Sequence, residues 1–131
     1  MLRLLTRVGR RRAAHATSSG KCLLAFGAPA DVAAVVATGL PRLGPRTIRS
    51  KSMLEKRLAE VRRNGYAISV DEAAPGVASV AAPIFDTAGE CIAAVSVAGP
   101  VTRLPQERLD QLARIVLAAA ATVSATGARS A

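Results

Sequence analysis

The chain has 131 residues, half of them apolar, with 18 Lys and Arg against 9 Asp and Glu for a formal net charge of +9. That length allows one domain around a single core, and the composition is globular, not disordered. Aromatics amount to 2%, namely Phe26, Tyr66 and Phe85. The core must therefore be built from Ala, Val, Leu and Ile, and the composition argues against a base-stacking surface for single-stranded nucleic acid.

The opening stretch, "MLRLLTRVGRRRAAHATSS", concentrates charge at Arg3, Arg7, Arg10, Arg11 and Arg12. It is rich in Ser and Ala and free of acids, as a presequence would be. It also reads as a strand remnant, since Leu2, Leu4 and Val8 interleave with polar residues. The remaining basic excess is spread over Arg42, Arg46, Arg49, Lys51, Arg62 and Arg63. No helix-turn-helix pattern accompanies it, so the charge reads as a solvated surface and not as a nucleic-acid footprint. No apolar run reaches spanning length, because "IVLAAAATVSA" stops short and follows Arg114.

"SSGKCLLAFG" predicts a short helix opened by Ser18 or Ser19 and closed by Gly27. "PADVAAVVATGL" predicts a second, with Pro29 in its first turn and Asp31 beside the positive end of its dipole. "PRLGPRTIR" is loop. In "SMLEKRLAEVRRNG" the S-x-x-E spacing of Ser52 and Glu55 predicts a capping box, Gly65 a stop, and Leu54, Leu58 and Val61 a buried side.

From Tyr66 the period changes to two. "YAISV" is a strand, and "GVASVAAPIFDTAGECIAAVSVAGP" is a hairpin turning at Asp86-Thr87-Ala88-Gly89. Pairing Asp86 with Gly89 sets Ser79 opposite Ser96. Alternation then gives one core face of Val80, Ala82, Ile84, Cys91, Ala93, Val95 and Val97. The other face carries Val77, Ser79, Ala81, Pro83, Ile92, Ala94, Ser96 and Ala98. Near its middle that second face is small and hydroxylated, as close helix packing or a shallow polar cavity would each require. Pro105 opens a long last helix, and residues 127–131 read as a disordered tail. The class is α+β, with helices packed on an antiparallel sheet.

Cys22 and Cys91 lack CxxC spacing and His15 is the single histidine. No zinc site and no disulfide framework follow, and both thiols read as small buried hydrophobes of a reducing cytoplasm. The sequence implies no metal, no cofactor and no membrane partner.

The stretch "HATSSGKCLLAF" admits three chemistries. Ser18 and Lys21 have the S-x-x-K spacing of lysine-assisted serine hydrolases, yet no S-D-N or K-T-G element follows. Gly20-Lys21 resembles the end of a phosphate loop, but His15 stands where the first glycine belongs and Cys22 where the metal-binding hydroxyl belongs. An anion cradle asks only for free first-turn N–H groups, small side chains and the helix dipole, which Ser18, Ser19 and Gly20 can supply. Simple N-capping by serine competes with the cradle.

Taken in order, "HATSSGKCLLAF", "LPRLGPRTI", "LAEVRRNGYAISVDEAAPGVASVAAPIFDTAGECIAAVSVAGPVTRL" and "RLDQLARIVLAAAATVSA" resemble the effector-binding half of the IclR family of bacterial transcription regulators. The resemblance runs over about residues 8–126. It implies a GAF-like domain over 15–126, an antiparallel sheet with packed helices whose first strands are missing, and a basic lead-in over 1–14. It further implies a winged helix-turn-helix ahead of Met1, through which alone DNA would be bound, and assembly as a homodimer or tetramer. The implied ligand is a small organic acid or aromatic metabolite.

Carried over by motif, the ligand-facing positions are Ser18, Ser19 and Gly20 at the helix start and Ser69, Ser79, Ser96 and Ala98 on the sheet. Ser69 stands where some relatives have an acidic residue, Ser79 where cysteine occurs, and Ala98 where serine is frequent. Arg12 occupies a position that tends to be apolar. The resemblance favours the cradle over the other readings of the opening stretch. Two alternatives remain: a dimerising remnant that no longer senses, and the S-x-x-K hydrolase.

Overall fold

The structure is a computed structural model, and it describes residues 11–127. The strand reading of Leu2, Leu4 and Val8 therefore lies outside the described residues, as does the tail beyond Gly127. The elements in order are α1 (Ser18–Ala25), α2 (Pro29–Thr38), α3 (Lys51–Asn64), β1 (Ala67–Val70), β2 (Val77–Phe85), β3 (Cys91–Pro100), a short 3-10 turn (Val101–Arg103) and α4 (Gln106–Ala125). Among the described residues every helix and strand expected from the sequence is present; the 3-10 turn was not foreseen. The α+β class holds.

The strands form one antiparallel sheet in the order β1-β2-β3. Val80, Ala82, Ile84 and Val95 meet Leu112, Ala113, Val116 and Ala120 of α4 on one face. Ala67, Ala81 and Ala94 meet Cys22, Leu24 and Ala25 of α1 on the other, with Leu54, Leu58 and Val61 of α3 closing the cluster. Leu54 and Leu58 are almost wholly buried, each burial stabilising the fold by about 2–3 kcal/mol. α2 buries none of its residues, although Asp31 is its single charge.

Two caps differ from expectation. Thr17, not Ser18 or Ser19, caps α1, its Oγ1 accepting from Gly20 N–H at 3.1 Å. A β-region Thr17 satisfies that donor and leaves both serines inside the helix. α3 begins earlier than the Ser52–Glu55 box implied: Ser50 is its cap, accepting from Met53 N–H at 3.2 Å, and Gly65 in the left-handed region stops it as expected.

The hairpin register is also corrected. Ser79 pairs with Ala98, and Ser96 pairs with Ala81. Asp86 N–H donates to Glu90 C=O and Gly89 N–H to Asp86 C=O, with Gly89 at φ +82. The loop is thus one residue longer than assumed, a three-residue turn with glycine in the left-handed position. A β-bulge at Ile84/Phe85 adds a second offset, so Cys91 pairs with Phe85. One offset alone would have exchanged the faces; two restore them. Beyond the bulge the two faces are therefore those expected, but Val97, read as core, is 37% exposed and lies outside the cluster under α4.

Candidate functional site

Two rows of small residues cross the sheet beneath α1. One is Ser69, Ser79 and Ala98; the next is Ala67, Ala81 and Ser96. With so little side-chain volume there, the start of α1 comes down onto the strands. Ser18 Oγ and Ser79 Oγ share a hydrogen bond of 2.7 Å. Ser69 Oγ donates to Ala16 C=O at 2.7 Å, holding the turn ahead of the helix. Cys22 Sγ contacts Ala81 C=O at 3.2 Å, and burial pushes its thiol up to about 12.

Gly20 is in place because of this closeness. A Cβ there would stand 2.5 Å from the Cα and the carbonyl oxygen of Ala14 and 2.7 Å from Thr17 Oγ1. Its N–H is taken by Thr17, whereas among the described residues the N–H groups of Ser18 and Ser19 have no acceptor. These two donors lie at the positive end of the α1 dipole.

Of the seven positions carried over from the family, six are gathered in one place. Ser18, Ser69, Ser79 and Ala98 share a row or a bond, with Ser19 and Gly20 in the same helical turn. Ser96 lies one row along, beside Ala81 instead of opposite Ser79. Exposure rises across the first row, with Ser69 buried, Ser79 half-buried and Ala98 exposed, and Ser96 at the β3 end of the next row is exposed too. Helix packing thus accounts for the β1 end of the small-residue face, and its β3 end is open. Arg12 is exposed. His15 is buried, and its Nε2–H donates to Pro41 C=O at 3.0 Å.

Lys21 is a buried lysine whose charge is already paired. It is 3% exposed and pairs with Glu72 at 2.8 and 3.0 Å, also donating to Ile68 C=O. Burial lowers its pKa, and the Glu72 charge opposes that shift. A Ser–Lys hydrolase requires the two side chains to meet, yet Ser18 is bonded to Ser79 and Lys21 to Glu72. The hydrolase arrangement is not formed.

Sequence reasoning did not find Glu72 or Thr17. Thr17 is signalled by its hydroxyl just ahead of Ser18. No sequence signal joins Lys21 to a carboxylate 51 residues away. Behind the pair a cleft of ≈ 860 Å³ opens, bordered by Arg46, Arg49, Arg57 and Tyr66. Among the described residues no group of His, Cys, Asp and Glu has metal-binding geometry, and no helix is long and apolar enough to cross a membrane.

Solved structures share this fold. IclR of Thermotoga maritima superposes with a TM-score of 0.89 at 27% identity, covering 96% of this chain and 51% of that one. The inducer-binding domain of the PobR transcription factor from Acinetobacter, a double mutant in complex with 3-hydroxybenzoic acid, gives 0.81 at 32% identity, covering 90% of this chain and 69% of that one. The fold is that of the C-terminal, effector-binding domain of a bacterial transcription regulator. The family model for the bacterial transcriptional regulator IclR C-terminal domain matches residues 1–125, and the chain belongs to that family. Among curated relatives, the HTH-type transcriptional regulator BhcR of Paracoccus denitrificans is 38% identical over 117 residues, which is 88% of this chain and 42% of BhcR. The chain spans less than half the length of that relative.

Proposed function

We propose that this domain binds a small organic or aromatic acid and, by doing so, alters DNA binding by the regulator of which such a domain forms part. The carboxylate sits against the first-turn N–H groups of Ser18 and Ser19, and the rest of the ligand lies over Ser79, Ser96 and Ala98 at the open β3 end of the face. The observation that carries this reading is the 2.7 Å bond between Ser18 and Ser79, because it sets a helix N-terminus directly over a hydroxylated sheet. The 3-hydroxybenzoic acid held by the PobR domain supports an acid as the ligand class. DNA contact belongs to a winged helix-turn-helix outside this chain, and the assembly is a homodimer or tetramer in the cytoplasm.

Thermal melting of the folded chain with acetate, pyruvate and 3-hydroxybenzoate tests the reading. A ligand selective for the native state raises Tm by mass action. The expected result is a concentration-dependent rise with at least one acid, together with movement of the Ser18 and Ser19 amide resonances. A rise that leaves those amides unmoved would place the ligand elsewhere; no rise with any acid would defeat the reading.

The open β3 end favours one second reading. Val97 is 37% exposed between exposed Ser96 and Ala98 on the last strand of the sheet, and such an edge promotes association. A dimerising remnant indifferent to acids would show concentration-dependent mass and no thermal shift.

A further inference from the structure

The acid site proposed above works only if α1 stands at one position over the sheet, and besides the weak thiol bond of Cys22 to Ala81 C=O three ties set that position. Ser69 holds the turn leading into the helix through Ala16 C=O, and Ser79 holds the first turn through Ser18. The third tie lies one turn further on. Asp71 N–H donates to Val77 C=O, so the odd-numbered residues of β1 carry the ladder to β2. Ile68 and Val70 therefore turn their backbone groups outward, to the edge of the described sheet. Lys21 Nζ donates to Ile68 C=O on that edge, and Glu72 Oε2 accepts from Val70 N–H at 3.3 Å. The two side chains then close on each other at 2.8 Å.

This third tie differs in kind from the other two. They are neutral hydrogen bonds, whereas this one joins full charges that are 3% and 14% exposed. Charge-assisted bonds are the stronger class, and a buried ammonium cannot leave its anion without a large penalty. Glu72 is itself fixed, because Thr47 Oγ1 donates to its carbonyl at 2.6 Å and the preceding Asp71 sits at φ 56. A slide of α1 along β1 would break the pair, and a rotation of the helix would carry Lys21 off the strand edge.

We infer that Lys21 and Glu72 are positioning residues of the acid site: clamped across the β1 edge, they fix the rotation and height of α1 at which the Ser18 and Ser19 amides face Ser79 and the open end of the row. The inference rests on the acid-binding reading. Neither residue touches the acid; each acts through the helix or the strand it holds.

The test is calorimetric titration of the full chain with acetate, pyruvate and 3-hydroxybenzoate. Lys21→Met keeps the length and removes the charge, and Glu72→Gln keeps the shape and removes the anion. Leu112→Ala, in the cluster on the opposite face, is a control that lowers Tm without touching α1. Both charge variants are expected to weaken acid binding about tenfold or more, and the double variant no more than Lys21→Met alone. Glu72→Gln is also expected to shift the Ser18 and Ser19 amide resonances in the absence of acid. Leu112→Ala is expected to keep its affinity despite a comparable loss of Tm.

An unchanged affinity in Glu72→Gln, or an equal loss in Leu112→Ala, overturns the positioning role and leaves the acid site standing. No binding by folded wild-type chain overturns the acid site and this inference together. Should Lys21→Met fail to fold, Glu72→Gln decides.

Discussion

Ser18 Oγ and Ser79 Oγ stand 2.7 Å apart although 61 residues separate them in the chain. The bond fastens the first turn of α1 to the middle strand, and the small rows around it let the helix come that close. If the proposed acid site holds, stability and ligand contact are joined at Ser79 and separable at Ser96, which is exposed. Ser79→Ala leaves the Ser18 hydroxyl without its cross-sheet partner, at a cost of about 1 kcal/mol, and weakens acid binding as well. Ser96→Ala is expected to leave the urea midpoint where it is and weaken acid binding alone. Equal urea midpoints for all three proteins would remove the structural role assigned to the Ser18–Ser79 bond.

Gly20→Ala is expected to be among the most damaging single changes in the chain. The added methyl would meet Ala14 backbone at 2.5 Å, and backbone there is held by the turn into α1. Forcing such an overlap costs about 1–3 kcal/mol. Gly39→Ala makes the useful comparison: nothing lies within 4 Å, and only its φ of +100 resists the substitution. Urea unfolding should rank Gly20→Ala below Gly39→Ala, and only the former should lose acid binding.

Asp86→Ala should destabilise the hairpin without changing its pairing. Asp86 Oδ1 accepts from Ala88 N–H and Glu90 N–H, both at 2.9 Å. Losing these exposed turn bonds costs about 1 kcal/mol. Amide exchange at the turn should quicken while the contacts between Val80 and Val97 persist. A shifted pairing in Asp86→Ala would mean that this side chain, and not burial of the two faces, sets the register.

Cys22 gives the alkaline limb of stability a defined sign. Burial pushes its thiol from 9.0 up to about 12. The native state keeps a proton that the unfolded chain releases, so this contribution is whole below about pH 9 and is lost as pH climbs towards 12. Lys21 slopes the other way, because its pKa is lowered in the folded state and stability rises as pH nears its ordinary value. Comparing wild type with Cys22→Ala isolates the thiol: the stability advantage of wild type should shrink as pH rises above about 9. A constant difference would disprove the shift. Under a thiol reagent at neutral pH, half-buried Cys91 should react well before buried Cys22.

What the sequence determined by itself is local and periodic. Apolar spacing at Leu54, Leu58 and Val61 defines the buried side of α3, period-two alternation defines both hairpin faces, and Gly65 and Pro105 mark helix ends, because each signal is carried by residues a few positions apart. The family motifs added Ser69, Ser79, Ser96 and Ala98 as positions proposed to face a ligand. Tertiary structure decided the rest. It chose Ala98 over Ser96 as the partner of Ser79, since a longer turn and a bulge each moved the pairing by one residue. It chose Thr17 over two adjacent serines as the helix cap. Above all it gave Lys21 its partner: a desolvated ammonium must find an anion, and which carboxylate is near depends on how α1 crosses the edge of β1, a fact that no spacing along the chain records.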